Sequence, residues 1–320
     1  MDIDHYPLVS VIIPAYNHEK YISLTMQSIR EQNYPNIELI VINDGSSDRT
    51  PVIAHEFCMK KTGNFKRLLF IDKPNEGVTK TLNLGVTTAD GDYVFLIASD
   101  DYLVDPNAIK ILVEKMLQDT STGMACGDAR FIDQNGNLPN DSLLKPIADT
   151  FLTRYFPAFL GLNITNDFGS YKSLLLGNYI PGGVLVRKSV YEDIGMYDPD
   201  KILEDYGFWL RLAKTYRFDY SSRVLMHYRI HPTNTVSVRK KAVMLEVADL
   251  LLSEKKYAMN NGHSKYWRKG AYTAGLQLLK SPSNTSFTRM VQLLFSSIPV
   301  WHVELFAFLM RQHKKRFNRN

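Results

Sequence analysis

LVSVIIPAYNHEKYISLTMQSIREQNYPNIELIVINDGSSD, residues 8–48, is the stretch whose reading decides the fold. Residues 8–13 form a short apolar run closed by Pro14. A strand buried on both faces of a parallel sheet needs such an unbroken run rather than alternation. YISLTMQSIREQNY then carries helical spacing. NIELIVIND starts a second strand. Asp44-Gly45 reads as a tight turn, and Ser46-Ser47-Asp48 as a helix start rich in capping residues. Strand, helix, strand in that order is one βαβ unit.

The rhythm continues outward. A helix is expected at 52–62, a strand at 67–72 (RLLFID), a glycine turn and helix at 75–89, and a strand at 92–101 (DYVFLIASDD). Pro106 suits the first turn of a helix over 106–119. Residues 124–133 read as a strand, 182–195 as strand then helix, 204–216 as an amphipathic helix, and 224–237 as a strand running into a loop. The fold class predicted is α/β, a Rossmann-like, mostly parallel sheet flanked by helices, over residues 1–237. The stretch 134–180, with its aromatic run FLTRYFPAFL, is irregular. Residues 238–320 read as a helical, partly apolar and basic appendage.

A chain of 320 residues with 45% hydrophobic residues can build a sizeable core. The net charge is +5, and the last ten residues, RQHKKRFNRN, carry an excess of base suited to an anionic surface. Residues 287–310 approach bilayer-spanning length but contain Arg289, Gln292, Pro299, His302 and Glu304, so a full crossing is not expected. Packing on the domain and lying in a membrane surface both stay open. The two cysteines, Cys58 and Cys126, form no C-x-x-C pair, in keeping with a reducing compartment. The opening MDIDHYPLVSVIIP has no basic n-region and is not read as a signal peptide.

In a parallel sheet, ligands bind beyond the carboxyl ends of the strands. Three polar clusters fall there: Pro14-Ala15-Tyr16-Asn17, Asn43 to Asp48, and Ser99-Asp100-Asp101. Adjacent carboxylates at a strand end repel unless something positive binds, and a divalent ion on phosphates answers that need. Each cluster also has a plainer reading, as a turn or as a loop anchor. No G-x-G-x-x-G follows the first strand and no G-x-x-x-x-G-K-[ST] is present, which disfavours a nicotinamide dehydrogenase or a P-loop phosphotransferase.

At this point the chain resembles the large inverting family 2 of glycosyltransferases, with the GT-A fold. LVSVIIPAYNHEKYISLTMQSI is similar to its first strand, turn and helix, and IELIVINDGSSDRT to its second strand and acidic motif. NEGVTKTLNLGVTTADGDYVFLIASDD is similar to its Asn-x-Gly segment and metal-binding strand, and LEDYGFWLRLA to the helix start carrying its base. These elements cover about residues 8–235 in family order. The resemblance implies a nucleotide bordered by Pro14, Ala15, Tyr16 and Asn17, with Asp44 accepting the uracil N3–H. Asn75, Gly77, Lys80, Asn83 and Asp100 would complete the donor site. Asp101 would be the direct metal ligand, joined by His227 or His231, of which His231 is preferred. Asp205 would be the general base, with Glu204 beside it.

The resemblance further implies a Mn2+ or Mg2+ cofactor and a UDP-sugar donor. It implies a saccharide acceptor carried on a lipid diphosphate at the inner face of a bacterial membrane, in surface-polysaccharide synthesis. The enzyme would be cytoplasmic and in peripheral contact with anionic membrane, with no nucleic-acid partner. Three departures stand out: Asn43 where relatives carry Asp, Ala98 where they carry the first Asp of a string, and Leu82 where they carry an Arg. Without that Arg, Lys80, Lys73 or another base is the candidate diphosphate contact. The competing readings are a nucleotidyltransferase, which would show a glycine-rich basic loop after the first strand, and a nucleotide-sugar-binding protein without catalysis. The Gln-x-x-Arg-Trp of processive synthases is missing, so a single sugar per encounter is expected.

Overall fold

The structure is a computed structural model that describes residues 6–60, 65–138, 167–234, 238–279 and 284–297. The described residues divide into two compact units, one within Met1–Leu174 and Asn178–Asn234, the other within Leu175–Gly177 and Thr235–Asn320.

The first unit opens with strictly alternating elements: β1 (Val9–Ala15), α1 (Ile22–Arg30), β2 (Ile37–Asp44), α2 (Thr50–Met59), β3 (Phe65–Lys73), α3 (Val78–Thr88) and β4 (Tyr93–Leu96). The four strands pair in parallel, in the order β3-β2-β1-β4. Val9, Val11, Ile12 and Ile13 are fully buried, so both faces of β1 are covered and its sequence shows no alternation. Each such side chain contributes roughly 1.5–3 kcal/mol on burial. Gly85 brings α3 down onto the sheet: a Cβ there would lie 2.5 Å from Ile12 Cγ2.

The rest of the first unit comprises β5 (Tyr102–Leu103), α4 (Ala108–Gln118), β6 (Thr122–Ile132), α5 (Tyr171–Leu174), β7 (Val184–Arg187), α6 (Lys188–Ile194), α7 (Glu204–Leu212) and β8 (Arg217–Arg229). Here the sheet becomes mixed. It continues β4-β7-β6-β8-β5, with β7 antiparallel to both β4 and β6, β6 parallel to β8, and β5 antiparallel to β8. The fold is therefore a mixed α/β sheet, with a fully parallel half and a mixed half, rather than a doubly wound sheet throughout. The expected strand over 92–101 also stops early, at Leu96. A turn closed by Asp101 N–H donating to Ala98 O (3.2 Å) carries the two acids out of the ladder.

In the second unit α8 (Lys240–Asn260), α9 (Ser264–Leu279) and α10 (Asn284–Ser297) follow one another. Their buried residues include Ala248, Leu251, Leu293, Leu294 and Trp267, whose indole N–H donates to Leu251 O (2.5 Å). Among the described residues no helix is long and apolar enough to cross a membrane. The aromatic run at 151–160, the apolar residues 298–310 and the basic tail lie outside the described residues.

Candidate active site

The loops after β1 and β2 are stitched together. Asn17 takes φ +52°, a left-handed conformation that asparagine tolerates better than most residues. Its N–H donates to Ser46 Oγ (2.9 Å), and its Oδ1 accepts the N–H of Ser47 (2.8 Å). His18 N–H donates to Thr50 Oγ1 (2.8 Å) and Glu19 N–H to Asp48 Oδ2 (3.0 Å), while Glu19 accepts the N–H of Arg49 (2.9 Å). The Asn17 carbonyl, expected to border a nucleotide, is thus engaged in holding two loops in register. Pro14 and Ala15 end β1, and Tyr16 leaves an aromatic ring 49% exposed beside the stitch.

Asp44, the last residue of β2, stands in register with Lys73 at the end of β3. Lys73 Nζ donates to Asp44 Oδ1 (2.5 Å), to Pro74 O (3.0 Å) and to Glu76 Oε2 (3.2 Å). The N–H groups of Glu76 and Gly77 add bonds of 2.9 Å each to the two Asp44 oxygens. Burial pushes this carboxyl up, but Lys73, the Glu76 N–H and the Thr81 hydroxyl together outweigh it and hold Asp44 below the ordinary carboxylate range. Gly45, at φ +69°, makes the approach possible: a Cβ there would lie 2.5 Å from Asn75 N. A cleft of about 380 Å³ opens at these strand ends, lined by Asn43, Gly45, Ser46, Pro51, Asp72, Lys73 and Pro74.

The two acids after β4 face different surroundings. Asp101 is buried, and its Oδ1 accepts the N–H of Arg229 (2.8 Å). Burial and the neighbouring Asp100 charge push its carboxyl well above the usual range, against the pull of Arg229. Asp100 instead presents its oxygens to two imidazoles. His231 Nε2 lies 2.8 Å from Asp100 Oδ2, and His18 Nδ1 lies 3.9 Å from Asp100 Oδ1. One donor atom from each of His18, Asp100 and His231 falls within 4.8 Å of the others, a set able to hold a metal ion. Thr233 Oγ1 sits 2.7 Å from His231 Nδ1 and orients the ring. Burial lowers the His18 pKa, keeping the imidazole neutral as a ligand must be. The geometry thus gathers Asp100, His231 and His18, and leaves Asp101 against Arg229, where the sequence reading had put the metal on Asp101.

Anchors surround this cluster. Thr25 Oγ1 on α1 bonds the carbonyls of Ser99 (2.9 Å) and Asp101 (2.6 Å). The buried Arg229 donates from Nε to Asp100 O (2.9 Å) and lies over the Tyr21 ring at 4.7 Å. His227 pairs with the Tyr102 hydroxyl (2.8 Å) in the β5–β8 ladder, which separates its surroundings from those of His231.

Asp205 lies in the first turn of α7. Its Oδ2 accepts a bond from Asn178 Nδ2 (2.9 Å). Its Oδ1 is buried and has no hydrogen-bond partner among the described residues, and neither has the neighbouring Trp209 indole N–H. Burial raises this carboxyl; the Asn178 amide, then the nearby Trp209 indole N–H and the backbone N–H groups of Tyr206 and Asp205, favour the charged form without reversing the shift. Glu204 starts the same helix and, with Asp205, faces Tyr197 electrostatically. Trp209 itself is core, packed edge-on against Phe208 and Phe218.

Loop 178–183 links the two acid sites. Asn178 at one end holds Asp205, and at the other a Cβ on Gly182 would lie 3.5 Å from Asp101 Oδ2. Four residues of chain span at most roughly 14 Å, which bounds the distance between these anchor points. Other expected residues serve elsewhere. Asn83 clamps Tyr197, donating to its carbonyl (2.9 Å) and accepting its N–H (3.1 Å). Asn75 and Lys80 are exposed, with Lys80 Nζ 3.8 Å from Glu76, and Leu82 is buried. His18 and Asn178 escaped the sequence reading. A histidine directly after a strand-end loop was the available signal for the first, whereas nothing in the sequence marks the second.

Residues 10–195 match Glycosyl transferase family 2. The chain belongs to that family. An uncharacterized glycosyltransferase of Rickettsia typhi is 30% identical over 234 residues, 72% of this chain and 66% of the relative. The hyaluronan synthase of Pasteurella multocida is 27% identical over 241 residues, 75% of this chain but 22% of that longer protein. The fold matches S. aureus TarS 1-349 in complex with UDP-GlcNAc with a TM-score of 0.59, at 19% identity, covering 91% of this chain and 82% of that one. This family 2 member carries the mixed α/β sheet described above, and spans less than two thirds of the length of these curated relatives.

Proposed function

We propose that this glycosyltransferase moves one sugar from a UDP-sugar to a saccharide hydroxyl by a single inverting displacement. The observation that carries the reading is the pairing of two acid sites with opposite provisions. Asp100 meets two imidazoles in a cation-ready set, and Asp205 keeps one buried oxygen unbonded. One displacement needs a base at the acceptor and charge stabilisation at the leaving group, and no protein nucleophile.

Asp205 is the base, and burial raises its carboxyl in the direction that a proton acceptor needs. Asp100, His231 and His18 would hold a divalent ion, whose positive charge would favour departure of the diphosphate. Magnesium prefers oxygen ligands and sheds water reluctantly, so two imidazoles favour manganese. Asp44 would accept the N3–H of the base and Tyr16, whose ring is exposed, would stack on it. The TarS neighbour, solved with UDP-GlcNAc, supports a uridine donor. The acceptor reading, a saccharide on a lipid diphosphate at the cytoplasmic face of the membrane, rests on the family resemblance, and the basic sequence 311–320 with the apolar stretch before it suits that acceptor.

The test is binding and slow hydrolysis of UDP-glucose, UDP-galactose and their N-acetylamino counterparts, with GDP-mannose as a control, with and without Mn2+. Manganese-dependent binding of one UDP-sugar, lost in Asp100→Ala, is expected. An inverted anomer in the product, read by NMR, completes the case. Binding of no UDP-sugar, or a retained anomeric configuration, would overturn it.

A further inference from the structure

We propose that Asn178 is the positioning residue of the acceptor-activating carboxylate, immobilising Asp205 Oδ2 so that Oδ1 alone receives the acceptor's proton. This rests on the reading of Asp205 as the base. The orientation of the Asn178 amide is fixed by its second bond: its Oδ1 accepts the N–H of Ile180 (3.3 Å). Nδ2 is therefore the atom directed at Asp205 Oδ2, at 2.9 Å. A carboxylate held at one oxygen cannot swing freely about its terminal bond, and its other oxygen makes no hydrogen bond of ordinary geometry among the described residues.

The choice of a neutral donor matters. Asp44 is met by an ammonium and two backbone N–H groups and is held below the ordinary carboxylate range. An ammonium at position 178 would suppress the basicity a general base needs, whereas an amide fixes geometry and only moderates it. Tyr197, from the segment after α6, faces both Asp205 and its helix neighbour Glu204 electrostatically. Neither Tyr197 nor Glu204 is a cation; the Trp209 indole and the Tyr206 N–H also favour the charged carboxylate, with Asn178 the largest of these influences.

The step balances without a further reactant. The acceptor O–H proton passes to Asp205 Oδ1, the acceptor oxygen pair forms the bond to the anomeric carbon, and the bond from that carbon to the phosphate oxygen breaks. Its electron pair leaves with the nucleoside diphosphate.

The experiment follows the Asp205 carboxyl directly, by 13C NMR of protein labelled at aspartate carboxyls, with Asp205→Asn assigning the resonance. Nucleotide-sugar hydrolysis is measured beside it, using the UDP-sugar panel with Mn2+, and thermal melts check folding. In Asn178→Ala the Asp205 titration moves to higher pH, because a bond to the charged form is lost. In the near-isosteric Asn178→Asp it moves further, because a second carboxylate faces the first. Turnover falls about 10- to 100-fold in both, with donor KM little changed. A folded Asn178→Ala protein with unmoved titration and wild-type turnover would overturn the role of Asn178. Full turnover in Asp205→Asn would instead overturn the base reading beneath it.

Discussion

The parallel half of the sheet and the mixed half treat their acids in opposite ways. At the end of β2, Asp44 is compensated by Lys73 and by backbone amides supplied by the next loop in the chain. At the start of α7, Asp205 has a neutral amide on one oxygen and nothing on the other among the described residues. A carboxylate that only has to bind can be neutralised and preorganised, whereas one that must accept a proton has to remain under-satisfied. The comparison predicts that changes at Asp205 act on rate, and changes at Asp44 and its partners on binding and stability.

The largest expected effect is on rate. Asp205→Asn keeps the shape and removes the base, so turnover should fall about 10²- to 10⁴-fold with donor binding unchanged. Calorimetric titration of the donor alongside single-turnover kinetics separates the two. If donor affinity fell with the rate, the division between halves would be wrong.

Next comes the cluster after β4. Manganese affinity, read by the electron paramagnetic resonance of free ion, should be lost most completely in Asp100→Ala. His231→Ala and His18→Ala should each cost more than the about 10- to 100-fold that loss of an outer-shell partner costs. Asp101→Asn should leave affinity near wild type, since that carboxyl faces Arg229. Equal losses from Asp100→Ala and Asp101→Asn would show both acids at the ion.

The parallel half was legible in the sequence because its site is made of local pieces. An unbroken apolar run, a turn and a capped helix recur within short reach, and each polar cluster ends its own strand. The mixed half was not. Its neighbours are joined by pairings such as Met124 with Val186 and Thr122 with Arg217, for which the sequence carries no spacing rule. Which of Asp100 and Asp101 faces the imidazoles could not be counted off, because β4 ends at Leu96 and the turn after it breaks the two-residue alternation. His18 meets His231 only because the loop before α1 and the loop after β8 converge on Asp100, a meeting of residues from opposite ends of the domain. Asn178 resembles any loop asparagine until its two bonds are seen.

A smaller effect is expected where the parallel half turns. Gly45→Ala forces an L side chain into φ +69° and a Cβ to within 2.5 Å of Asn75 N. The cost should be about 1–3 kcal/mol of stability, read as a lower midpoint in urea. Donor affinity should fall with it, as the segment carrying the Glu76 and Gly77 N–H groups is pushed off Asp44, while turnover at saturating donor stays near wild type.

The smallest effect tests the compensation itself. Because the folded Asp44 carboxyl is held below its ordinary value, it contributes stability that is present above the ordinary carboxylate range and lost as pH falls through the folded value. Lys73→Met removes the cation but leaves the two backbone N–H groups, so the depression shrinks without vanishing. The melting temperatures of wild type and variant should therefore differ most at neutral pH and converge as acid protonates Asp44 in both. Lys73 also reaches Glu76, but that residue's side chain is half exposed and its pair with Lys73 contributes little. A constant gap across the acid range would mean that Lys73 stabilises by packing alone, and the contrast between a neutralised acid at β2 and an under-satisfied one at α7 would lose its electrostatic basis.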